Sequence, residues 1–115
     1  MPTLQKASTP QQQAAKAEDA PENEEVRTVG VVALAGDNIL LQNAGLADIY
    51  EVTMQPLTAM AIQLKEGGAP ISGNFTLGTN QFWSHPGKLI RQNLVLTLSK
   101  AGNVNFEIRW AKATS

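Results

Sequence analysis

The chain is predicted to be all-β: an antiparallel β-sandwich of jelly-roll type, with about eight short strands behind an extended or disordered N-terminal arm. Three observations predict it. From Val26 onward, short runs rich in Val, Ile, Leu and aromatic residues alternate with polar residues at a period of two. Turn signals punctuate those runs at Gly36-Asp37-Asn38, Asn43-Ala44-Gly45, Gly67-Gly68, Gly78-Thr79-Asn80, Pro86-Gly87 and Gly102-Asn103. After residue 25 no apolar stripe of helical period reaches ordinary helix length.

The arm comes first. Residues 1–25 hold five Ala, four Gln, four Glu and three Pro, with neither an aromatic residue nor a glycine. Two Lys face four Glu and one Asp, a net charge of −3. With Met1 and Leu4 as its only large apolar side chains, this segment buries too little surface to offset its ordering entropy. Gln11–Ala20 is composed of helix formers between Pro10 and Pro21, but about ten residues is too short for a stable isolated helix. Two readings stay open for the arm: a solvated tail, or a segment that orders on a neighbouring subunit. It has no apolar stretch of secretory type, so the chain is expected to be made without a secretion signal.

The body, residues 26–115, carries a net +2 and all six aromatics. Its candidate strands are 26–35, 39–42, 49–55, 60–65, 71–77, 81–84, 94–99 and 104–110. The clearest is the last, where Val104, Phe106, Ile108 and Trp110 point one way and Asn105, Glu107 and Arg109 the other. Trp110 is therefore expected in the core. Leu94, Leu96 and Leu98 alternate in the preceding run, and the link Lys100-Ala101-Gly102-Asn103 reads as a hairpin turn. Pro56 marks a break or an edge. Val29, Val31, Val32 and Leu34, and then Ile39-Leu40-Leu41, are nearly continuous apolar runs. Such runs need a covering layer, either a second sheet or another subunit, which predicts a homo-oligomer.

Composition excludes several chemistries. With no cysteine there is no disulfide framework, thiolate metal site or cysteine nucleophile. No apolar run approaches the roughly 18–20 residues of a spanning helix, so no membrane partner is expected. His85, the one imidazole, sits beside the turn dipeptide Pro86-Gly87, and no nucleophile elbow accompanies it. The five body carboxylates are scattered and match no calcium loop, and neither glycine cluster has phosphate-loop spacing. No catalytic residue, metal or cofactor is predicted. Lys88, Arg91, Lys100, Arg109 and Lys112 are spread over strands and turns of a body that is only +2, which argues against nucleic acid. One of the adjacent pair Phe82 and Trp83 must face outward in a strand. Trp83, beside His85, is the expected interface contact and also the natural platform for a bound sugar.

The Ala/Gln/Pro/Glu arm, the cysteine-free β body and the asparagine-rich segments Asp37-Asn38-Ile39-Leu40-Leu41-Gln42-Asn43 and Gly102-Asn103-Val104-Asn105-Phe106 resemble small virion structural proteins of tailed bacteriophages, in particular capsid decoration (cement) proteins. The resemblance covers the whole chain in layout and matches no motif position by position. It implies a non-enzymatic role in binding and stabilising a capsid from the virion surface, with the major capsid protein or other virion subunits as partners. It also implies a trimer, and a terminal segment that clasps neighbouring subunits. The residues expected to make those contacts are Leu4, Gln11, Gln12, Gln13, Glu22, Glu24, Glu25, Trp83 and His85. The rival expectation is a carbohydrate- or receptor-binding module, such as part of a tail or fibre.

Overall fold

The computed structural model describes residues 25–113. Of the predicted arm, all but Glu25 lies outside the described residues. The rest form nine strands and no helix: β1 (Val26–Val32), β2 (Gly36–Leu41), β3 (Ala47–Pro56), β4 (Met60–Glu66), β5 (Ala69–Pro70), β6 (Phe75–Leu77), β7 (Trp83–Ile90), β8 (Leu94–Leu98) and β9 (Val104–Lys112).

They build two antiparallel sheets. The first runs β1-β9-β3-β7; in the second β2-β8-β4 is completed by the short strands β5 and β6, both paired to β4. The pairing is nested: β1 with β9, β2 with β8, β3 with β7 and β4 with β6. The chain is thus one long hairpin, with its tip around β5, rolled up so that β9 also meets β3 and β8 also meets β4. This is jelly-roll connectivity, as predicted.

Period-two alternation puts one face of each sheet inside. Ile49, Val52, Met54, Ile90, Val104, Phe106 and Ile108 of the first sheet pack against Leu40, Met60, Ile62, Leu64, Leu94, Leu96 and Leu98 of the second. Trp110 is half-buried against this core, and its Nε1 donates to Thr28 Oγ1 at 3.0 Å across β1. A bulge at Tyr50, between Ile49 and Glu51, switches the inward phase of β3. Gly87 lies against that bulge, where a Cβ would stand 1.7 Å from the Ile49 carbonyl oxygen.

Four expectations need correction. Leu94–Leu98 and Val104–Trp110 are not a hairpin, because β8 and β9 belong to different sheets and residues 99–103 arch between them. Both strands do alternate, but each finds its partners far away in sequence. Pro86-Gly87 is not a turn; it lies within β7, an edge strand, where the missing N–H of proline is tolerated. His85 is accordingly on a strand. The predicted strand 71–77 keeps only Phe75–Leu77, because Ile71 and Ser72 fold back to donate from their backbone nitrogens to Leu64 O.

At one end of the sandwich four connections are tied together. Gly102 N donates to Ala33 O, Leu57 N to Asn103 O and Asn80 N to Pro56 O, each at 2.8–3.0 Å. Buried Asn38 braces the β1–β2 link, its Nδ2 donating to Leu34 O and Gly36 O while its Oδ1 accepts from Leu34 N. A buried amide satisfied on both sides fixes the turn rather than costing stability.

Candidate functional site

The outer face of the first sheet carries a shallow groove of about 210 Å³. The registers of β1, β9, β3 and β7 dictate its make-up. Val29, Glu107, Thr53 and Ser84 lie in one cross-strand row, and Val31, Asn105 and Gln55 in the next. Thr53, Gln55, Asn105 and Glu107 form a polar floor, with Val29 at one margin and Phe82 at the other. Phe82 precedes β7 and is 68% exposed. Leu57, 41% exposed, continues β3 beyond Gln55.

Hydrogen bonds stiffen the floor. Thr53 Oγ1 and Ser84 Oγ share one at 3.1 Å, and Gln55 Nε2 donates to Asn80 O at 3.1 Å. Glu107 accepts from Arg27 Nε, so its carboxylate is already partnered. Below it, Arg109 bridges Glu25 and Glu51. The hydrogen bond from Arg109, ahead of its charge, holds the Glu25 carboxyl below the ordinary glutamate range. Such exposed pairs are screened and fix geometry more than stability. Apolar margins around a polar floor can hold a ligand or a partner surface by apolar contact and hydrogen bonds.

Of the predicted contact residues, the structure describes Glu25, Trp83 and His85. Leu4, Gln11, Gln12, Gln13, Glu22 and Glu24 lie outside the described residues. Glu25 is engaged by Arg109 of its own chain. Trp83 is half-buried and faces the core, edge-to-face with Phe75 at a centroid distance of 4.8 Å and 5.7 Å from the His85 ring. Of the adjacent pair it is therefore Phe82 that faces outward, which corrects the expectation for Trp83. His85 pairs with Val52 in register, and its ring nitrogens lie against Pro86 O and Ile71 O. That arrangement anchors the segment before β6 rather than offering a free side chain. Sequence reasoning missed Phe82 and Val29. Their signal was the parity of each strand, which is readable only once the register with β3 and β9 is known.

Among the described residues, no helix is long and apolar enough to cross a membrane, and no three His, Cys, Asp or Glu residues are grouped to hold a metal ion.

No protein-family model matches the chain, and no curated protein matches it. Among solved structures it is similar to the coat protein of Tobacco streak virus in a C2 crystal form, at 9% identity and a TM-score of 0.39, covering 83% of this chain and 90% of that one. It is also similar to the coat protein dimer of the same virus, at 9% identity and a TM-score of 0.36, covering 84% and 90%. A further likeness is to PirA, at 8% identity and a TM-score of 0.33, covering 79% and 94%. Likeness at this level says nothing of function.

Proposed function

We propose that this chain is a non-enzymatic structural component of a virion, a small jelly roll that attaches to a capsid surface and stabilises it in the manner of a decoration protein. The observation that carries the reading is the placement of its exposed large apolar side chains. Phe82 and Val29 flank one groove with a polar floor, on the outer face of a sheet whose connections are bound together at one end. Exposed apolar side chains grouped about one groove support an interaction site, whereas singly scattered residues do not. Residues 1–25 would add contact area on a neighbouring subunit, and repeated copies on a lattice would bind by multivalency.

The test is density-gradient sedimentation of lysate from the natural source, with the chain followed by mass spectrometry. Co-migration with a megadalton particle, weakened on re-addition of a Phe82→Ser or residue 1–25 deletion variant, is the expected result. Recovery only as a free small protein overturns the reading. The rival is then a sugar-binding module with Phe82, not Trp83, as the stacking platform over Thr53 and Asn105.

A further inference from the structure

We propose that the free edge of β1 pairs antiparallel, about a two-fold axis, with β1 of a second copy of this chain. The inference does not rest on the virion reading.

Among the described residues the two sheets end in four edges, formed by β1, β7, β2 and the β5/β6 side of β4. Three carry devices that discourage pairing. β2 has a bulge between Ile39 and Leu41. β5 and β6 are two and three residues long, and β5 contains Pro70. β7 holds Pro86 and, two residues on, Lys88. Bulges, short edges, proline and lysine are the means by which soluble sheets avoid joining.

β1 has none of these. Its seven residues, Val-Arg-Thr-Val-Gly-Val-Val, keep an unbroken register with β9 from Val26 to Val32. Its outward positions include Val29 and Val31, which are 64% and 57% exposed. A long, regular edge with apolar β-branched side chains is a template for another strand.

Self-pairing fits the side chains. An antiparallel register centred on Gly30 sets Val29 against the partner's Val31 twice over, and Thr28 against the partner's Val32. Charge is compatible as well. The one charged residue on β1, Arg27, is paired with Glu107 of its own chain and would lie opposite the partner's Ala33. The two arginines then stand six residues apart along the strand, roughly 20 Å and beyond the screening length. Glu25, the residue before β1, pairs with Arg109 of β9 in its own chain. The contact is two-fold, where the phage resemblance implied a trimer.

The experiment is sedimentation equilibrium of the full chain over a range of concentrations, with amide exchange measured across residues 26–32. The wild type should approach the mass of two chains. Val29→Lys/Val31→Lys, which changes only exposed side chains, should raise the dissociation constant at least about tenfold while the circular-dichroism spectrum stays that of the wild type. If the double variant folds poorly, Val31→Lys alone serves, since symmetry puts it in the contact twice. A monomeric wild type at about 1 mM overturns the proposal, as does a dimer or trimer indifferent to both variants. So does protection of the β1 edge amides in a chain that sediments as a monomer, which would mean that residues 1–24 of the same chain cover the edge.

Discussion

Gly87 is the position where a single added carbon meets the least tolerant surroundings. Its would-be Cβ lies 1.7 Å from Ile49 O and 2.8 Å from Tyr50 O, both backbone atoms of the β3 bulge. A flexible side chain could move aside; a bulge pinned between β7 and β9 cannot. Gly87→Ala should therefore destabilise the fold by at least about 3 kcal/mol. Gly68→Ala, with nothing within 4 Å of the added carbon, should stay within about 0.5 kcal/mol of wild type. Urea midpoints of the two variants check this, and equal losses would mean that the bulge relaxes. The same residue scale shows why the groove was half legible. Alternation announces that Asn105 and Glu107 face away from Phe106 and Ile108. It does not say which of Phe82 and Trp83 faces inward, because that depends on Trp83 pairing with Met54 on a strand 29 residues earlier.

Between elements, Glu66 clasps the two sheets. At the end of β4, its Oε2 accepts from the backbone N–H of Arg91 at 2.7 Å and of Gln92 at 3.2 Å, and Oε1 lies 3.6 Å from Lys88 Nζ of β7. Burial opposes its ionisation, but the two N–H donors and the ammonium outweigh that and hold the carboxyl below its ordinary 4.5. A carboxylate with a depressed folded value contributes stability that is complete above the unfolded value and is lost as pH falls through the folded one. Stability should thus decline from about pH 5 downward. Glu66→Gln should flatten part of that decline while costing about 1 kcal/mol at pH 7. Chemical denaturation at a series of pH values reads both, and an acid slope identical to wild type would remove Glu66 from the account. Element existence was largely legible: the alternation at 60–65 and 104–110 appears as β4 and β9. Element pairing was not, since a short glycine link with strands on either side looks the same whether it turns within a sheet or arches between two, as residues 99–103 do. Nor does a proline-glycine pair announce that an edge will let it continue a strand.

For the whole molecule, the rolled hairpin decides how folding must proceed. Val26 pairs with Trp110, 84 residues later, and the last two strands take interior places, β9 between β1 and β3 and β8 between β2 and β4. Neither sheet is continuous until residues 94–112 have docked, so most loop-closure entropy is spent before the pairings that offset it form. All-β chains with such non-local pairing fold in milliseconds to seconds, and this one should refold on that scale, about a thousandfold or more slower than helical bundles of its size. A chain ending at Gly102 should stay unfolded, because without β9 the strand β1 has no partner and β3 keeps only β7. Stopped-flow refolding of the full chain, with circular dichroism of the truncated one, tests the argument. Refolding within microseconds, or a cooperative thermal transition in the truncated chain, would show that one sheet assembles locally and that the nested pairing is added to a structure already formed.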